Sequence, residues 1–252
     1  MTDILIAMGL TASAALAIAL IVANAPGSAG ARWVLTLLLL GWFGLVVALG
    51  VAGALRPEYL GTLGVGALAV APVVIVSYLA LRVAALKRAL LSIPVSVLIL
   101  IHVGRILGVT FLVLYAAGRL SAPFAPIAGW GDIVIGGSAI PVALFAARSF
   151  STHRRLVLAW NALGLADLLV ALALGITSAP DSPWPLFTHP PGTVEMSGLP
   201  MLIIPAFLVP LYSLVHLAIF NRLRRAASGE GSTQLSSRPT RPAAISRPQS
   251  TC

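Results

Sequence analysis

Three charged residues stand where a charge is costly. Arg105, Asp132 and Asp167 each lie inside a long apolar run. A charge at the centre of a membrane helix costs about 2.5–3.5 kcal/mol on insertion scales, so such residues usually bind a ligand, relay protons or pair with one another. Arg105 falls near the middle of the fourth apolar run, Asp167 near the middle of the sixth, and Asp132 about two turns into the fifth. An arginine alone at that depth is expensive and a paired one is tolerable. The spacing therefore predicts a buried cluster of Arg105 with Asp167 and Asp132, joining the fourth, fifth and sixth runs, with Asn161 bonding across helices nearby. Small residues surround these positions: Gly104 and Gly108 flank Arg105, Gly136 and Ala139 share a face with Asp132, and Trp160, Gly164 and Asp167 follow i, i+4, i+7 spacing. Small side chains let helices approach closely around a buried charge. The competing reading is that the cluster only locks the helices together, since polar contacts between membrane helices average only about 0.6 kcal/mol where best measured.

His102, one turn before Arg105, and His216, one turn after Tyr212, are the second group of candidates. Two histidines on different helices could ligate a haem b. The simpler expectation is a pair of interfacial or hydrogen-bonded imidazoles, with Tyr212 bonding across helices. No other cofactor is expected. Cys252 is the single cysteine and the last residue, so neither an internal disulfide nor a cysteine metal site is expected. No metalloprotease, serine-hydrolase, nucleotide-binding or zinc-binding pattern occurs in a plausible context. An aspartyl pair for intramembrane hydrolysis would need Asp132 and Asp167 at one depth, and their positions predict an offset. No catalytic residue is assigned, and an enzyme is not indicated.

The elements that must position these residues are membrane helices. Hydrophobic residues form 59% of the 252 positions and charged residues 9%, with a mean hydropathy of +1.01. A soluble domain usually carries about 25% charged residues to keep its surface wet, so lipid is the expected solvent. Apolar stretches near 4–24, 33–55, 60–81, 92–117, 126–147, 156–177 and 198–221 match the ~30 Å hydrocarbon core at about 1.5 Å per residue. Backbone groups in lipid must be paired within the segment, which favours helices. The expected fold is thus an all-α bundle of seven spans over residues 1–225, followed by a disordered basic cytoplasmic tail over 226–252. The second run, rich in Leu and Val without charge, is expected to face lipid.

The net charge of +9 does not indicate a nucleic-acid partner, because the cations sit between apolar runs. One set of breaks carries Arg32; Arg82, Lys87 and Arg88; Arg148, Arg154 and Arg155; and Arg222, Arg224 and Arg225. The alternate breaks are poorer: Arg56 with Glu58, Arg119 alone, then Asp181 and Glu195. Cations flanking a span stay in the cytoplasm, so the N-terminus is expected outside and the C-terminus inside. Only an odd number of spans satisfies every break. The first run could pass for a signal peptide ending at Ala23-Asn24-Ala25, but the acidic start Met1-Thr2-Asp3 argues for a retained span. The stretch 178–197 holds five prolines with Trp184, Phe187 and His189. It reads first as an interfacial loop with an aromatic anchor and, more sharply, as a lid over a cavity open to the outside.

Arg105-Ile-Leu-Gly108, Gly118-Arg119-Leu120, Phe124-Ala125, Ala128-Gly129-Trp130-Gly131-Asp132, Gly136, Trp160-Asn161-Ala-Leu-Gly164-Leu-Ala-Asp167, Pro210 and His216 together resemble a widespread group of bacterial inner-membrane proteins of uncharacterised activity. The resemblance spans about residues 100–222 and is most specific at Gly129-Trp130-Gly131-Asp132. It implies a bacterial inner-membrane setting and brings no mechanism. The expected function is a permease-like or small-ligand-binding bundle. Its Arg/Asp site would be reached from the periplasm and would take a small molecule or ion, with a homodimer as the expected partner arrangement. The alternatives are a non-catalytic structural or sensory subunit and a b-type cytochrome. Retinal chemistry would need a lysine in the last span, and Lys87 is the only lysine.

Overall fold

The computed structural model describes residues 1–84, 86 and 92–236, and among these the chain is helical without strands. Among the described residues, seven helices are long and apolar enough to cross a membrane. They are α1 (Thr2–Asn24), α2 (Ala29–Val51), α3 (Gly61–Arg82), α4 (Val95–Ala116), α5 (Phe124–Arg148), α6 (Arg154–Thr177) and α7, which starts with Ile204–Leu208 and continues as Val209–Ser236. The last helix extends past the span end expected near 221. Residues 237–252 of the expected tail, and the loop cations Lys87 and Arg88, lie outside the described residues.

The helix ends alternate as the charge pattern requires. Arg119, just after α4, donates to Asp3 on α1 and to Glu195 between α6 and α7. Asp181, after α6, accepts from the backbone nitrogen and hydroxyl of Thr62 at 2.6 and 2.7 Å. That carboxylate sits where the unpaired N–H groups of α3 give a partial positive charge. The N-terminus, the α2–α3 turn, the α4–α5 turn and the α6–α7 segment therefore share one end of the bundle, here called the acidic end. At the other end, Val95, Ala146, Arg222 and Arg225 line one groove, which brings the start of α4 to the end of α5 and to the arginine-bearing turn of α7.

Burial ranks the helices. Within their spans, 67% of α7 and 50% of α4 are buried against other helices, but only 6% of α2 and of α3. The first pair forms the centre and the second pair the rim, which leaves the apolar surface of α2 largely uncovered within the chain.

Two central helices depart from α geometry. Residues Ile101–Gly108 of α4 form a 3-10 helix. At three residues per turn, positions i and i+3 eclipse, so His102, Arg105 and Gly108 form one row, and all three are buried. In α7, Ile204–Leu208 is a π-helical turn. Pro210 has no N–H to offer the Ala206 carbonyl four residues back. Trp42 of α2 supplies the missing donor, its Nε1 lying 3.2 Å from the Ala206 oxygen. Phe207 is clamped between Trp42 and Phe43, with ring centroids at 4.7 and 5.3 Å. Pro72 and Pro141, by contrast, lie within continuous helices α3 and α5.

Candidate functional site

The eclipsed row on α4 points Arg105 into the middle of the bundle, and glycines on the facing helices make the space. At Gly136 of α5 a Cβ would stand 2.5 Å from the Ile106 nitrogen and 2.9 Å from the Arg105 carbonyl carbon, so the α4 and α5 backbones nearly touch. Gly108 abuts Asp132, and Gly131 abuts the Asp167 carboxylate. At Gly164 of α6 a Cβ would meet the His216 ring carbon at 2.6 Å. The small residues that the sequence places beside its charges are thus the points where helices cross.

Arg105 is 2% exposed and every guanidinium nitrogen has a partner. Nε donates to Asp132 Oδ1 at 2.6 Å, one terminal nitrogen to the Asp167 carboxylate, and the other to the Gly164 carbonyl at 3.0 Å. That last nitrogen also lies 3.4 Å from His216 Nε2. A guanidinium has no acceptor, so Nε2 is the acceptor and the His216 proton sits on Nδ1, which donates to Asn161 Oδ1 at 2.8 Å. Asn161 closes the loop by donating to the His216 carbonyl at 3.1 Å. His216 in this network is therefore a neutral imidazole of fixed tautomer. Asp132 and Asp167 both bond the one guanidinium, the cluster that the spacing leads one to expect, because an arginine reaches neighbours above and below its own level.

A second layer packs on this network. His102 is fully buried and stacks on His216 with ring centroids 4.1 Å apart and planes at 31°. Trp160 and Tyr212 close its other sides at 5.4 and 5.1 Å. Neither ring nitrogen of His102 has a hydrogen-bond partner among the described residues. Tyr212 bonds Ser13 of α1 at 3.1 Å, and Trp160 Nε1 donates to Ser138 of α5 at 2.9 Å. A haem iron bound by two histidines needs the porphyrin between them. Rings stacked at 4.1 Å leave no slot for it, and the pair as arranged does not suit that group.

A narrow cavity leads from the acidic end to Asp132. It leaves about 70 Å³ in which the centre of a water-sized sphere can move, which is enough for several waters or one slender organic group, since one water needs about 10–15 Å³. Phe111, Phe124, Leu168, Leu172, Pro205 and Val209 give it apolar walls. Pro205 belongs to the π turn, so the distortion of α7 borders the cavity. Asp132 lies ~12 Å below the start of α5, at 1.5 Å per residue. It keeps 14% of its side-chain surface exposed.

Asp181, Thr193, Val194, Met196 and Ser197 form the roof, so part of the proline-rich stretch covers a cavity. Trp184 in the same stretch is largely exposed, as an interfacial anchor would be. Arg119 ties the roof down through Glu195, with both terminal carboxylate oxygens engaged at 2.8 and 2.9 Å. Hydrogen bonds to Glu195 first, then Asp3, hold the Arg119 guanidinium above its ordinary range. Neither the roof bonds nor the links from Ser13 and Trp42 were foreseen from the sequence. The only signal was that Arg119 stands alone in its break, with no acidic residue of its own beside it.

Residues 69–224 match the family described as Domain of unknown function (DUF8737), which is more than half of the chain. The chain belongs to that family, and the match contains every member of the Arg105 network named above but neither Ser13 nor Trp42. No curated protein and no solved structure matches the chain.

Proposed function

From that membership, which carries no activity with it, we propose that this multi-pass membrane protein is a permease-like or small-ligand-binding bundle whose ligand enters the cavity at the acidic end and reaches Asp132. In this reading the acidic end, with the N-terminus, faces the periplasm of a bacterial cell. The arginine-rich end and the tail face the cytoplasm, a placement that the cation distribution supports. A homodimer would complete any pathway that seven spans alone leave open.

One observation carries the reading. The cavity ends on a carboxylate that is itself part of the buried ion-paired network. Occupancy can therefore change the charge balance felt by Arg105, and through it by α4, α5, α6 and α7. Two carboxylates share one guanidinium, so one negative charge is left over. In a low-dielectric interior that charge must be neutralised by a proton or by a ligand. Ligand departure would then be coupled to proton uptake at a carboxylate.

The test is mass spectrometry of the protein purified in mild detergent, followed by uptake of the co-purified compound into proteoliposomes. A small molecule retained by the wild type and lost from Ala171→Phe, which narrows the cavity, is the expected result. Uptake unchanged in Asp167→Asn and Arg105→Gln would remove the proposal.

A second reading is favoured by the complete saturation of Arg105, which is what a purely structural clamp would also require. In a structural or sensory subunit, single changes at Arg105 or Asp167 would lose expression, and the swapped pair Arg105→Asp with Asp167→Arg would regain it.

A further inference from the structure

We propose that the cavity takes a protonated amine with a slender apolar body, the ammonium pairing with the Asp132 carboxylate. This deepens the ligand-binding reading above, on which it rests, by naming the class of ligand.

The charge count comes first. Arg105 bonds Asp132 through Nε and Asp167 through a terminal nitrogen, one cation for two carboxylates. His216 brings no second cation, because its Nε2 must accept from Arg105. A monovalent cation at the cavity's inner end would make the cluster neutral.

The lining points the same way. Among the described residues its ionisable members are Asp132 and Asp181, with no lysine, arginine or histidine. Asp181 is already committed at the mouth, where both its oxygens hold Thr62. An anion entering here would meet like charge at both ends and no cationic partner. A sugar or other polyhydroxylated ligand would leave most of its hydroxyls against Phe, Leu, Ile and Val without partners, each at a cost.

The walls select the body. Phe111 and Phe124, edge to face with each other at 5.3 Å and 70°, make part of the wall aromatic. Aromatic faces attract cations, and more strongly when desolvated. The cavity is narrow, so the body is a single ring or a short alkyl chain rather than a fused polycycle. The remaining hydroxyls at the mouth, on Thr193 and Ser197, lie where a polar ligand edge would face the roof. Facing Asp132 across its other side are Arg105 from α4 and, beyond it, Asp167 of α6 and His216 of α7. The ammonium thus adds to a network whose one cation is already fully bonded.

Three near-isosteric probes separate the classes: phenethylammonium, 2-phenylethanol and 3-phenylpropionate. Binding of each to the full-length protein in lipid nanodiscs is measured by equilibrium dialysis, with empty nanodiscs correcting for partition. Phenethylammonium is expected to bind saturably. The alcohol should bind about tenfold or more weakly, the loss associated with a charge-assisted bond, and the carboxylate should not bind above background. Asp132→Asn should weaken phenethylammonium about tenfold or more and leave the alcohol unchanged. Asp132→Glu should restore the preference for the amine, and Ala171→Phe should abolish binding of both neutral and cationic probes.

Equal or tighter binding of the alcohol or the carboxylate overturns the amine class while leaving a ligand-binding cavity in place. The same holds for an Asp132→Asn protein that binds the amine as well as wild type. No saturable binding of any probe, with nothing co-purifying, overturns this inference and the ligand-binding reading together. The comparison of three probes on the wild-type protein decides the matter even if the Asp132 variants do not fold.

Discussion

Replacing the two carboxylates by amides, singly and together, should give a strongly non-additive result. In Asp132→Asn the amide oxygen still accepts from Arg105 Nε, so the bond now 2.6 Å long is kept without its charge assistance. The loss is roughly 1 kcal/mol, the difference between a charged and a neutral hydrogen bond. Against it stands the removal of the excess negative charge, since Asp167 alone then balances Arg105. The net change should lie within about 1 kcal/mol of zero, and the same reasoning applies to Asp167→Asn. The double variant is different. Arg105 would keep the Gly164 carbonyl and His216 Nε2 but lose every counter-charge. An uncompensated buried charge costs about 3–5 kcal/mol. The coupling between the two changes should therefore be at least about 2 kcal/mol, well beyond the few tenths expected of independent sites. The measurement is equilibrium unfolding in mixed micelles, followed by the fluorescence of the five tryptophans. Additive costs, or two singles that each destabilise as much as the double, would refute the charge count on which the site rests.

Gly136→Ala should be among the most damaging single methyl additions, at or above the upper end of the ~1–3 kcal/mol for overpacking, because the new Cβ meets α4 backbone rather than a movable side chain. Unfolding midpoints will check it, and a neutral result would contradict the close crossing of α4 and α5. Trp42→Phe should cost about 1–2 kcal/mol by leaving the Ala206 carbonyl without a donor. In a Pro210→Ala background, where the helix supplies its own N–H, most of that cost should vanish in a double-mutant cycle. Arg119→Gln should cost less than about 1 kcal/mol, and less still at high salt, because the Arg119 side chain is one-third exposed. Thermal unfolding at two ionic strengths will read both effects, and a loss that salt does not reduce would contradict a screened surface pair.

Much of this arrangement is legible in the sequence because membrane solvation makes a few residues conspicuous. Arg105, Asp132 and Asp167 stand out as charges in apolar runs, and their only affordable environment is one another. Gly108, Gly136 and Gly164 announce where helices cross, and all three do so. Depth, however, is read from an ideal α helix. The 3-10 section of α4 changes the residues per turn, and the arginine's length spans levels that the sequence separates. That length is what lets Arg105 serve both Asp132 and Asp167, as the spacing predicts. The π turn of α7 and its rescue by Trp42 were hidden for another reason. Pro210 shows that an acceptor is left over, but nothing local shows which distant residue will serve it. His102 and His216 were visible as candidates, and only the ring stacking at 4.1 Å distinguishes a packed pair from two axial ligands. The cavity is a property of packing and has no sequence signature beyond the proline-rich stretch that roofs it.

The most direct test of a ligand path to the buried network is chemical access to Asp132. A slim apolar carbodiimide reacts with carboxylic acids in water-poor sites, and peptide mass spectrometry locates the adduct. In the intact protein in lipid, Asp132 should be modified, and Ala171→Phe, which fills the cavity above it, should slow the reaction about tenfold or more, equivalent to about 1.4 kcal/mol or more in the barrier. Modification confined to Asp181 at the mouth, or a rate at Asp132 that Ala171→Phe does not change, would contradict the path.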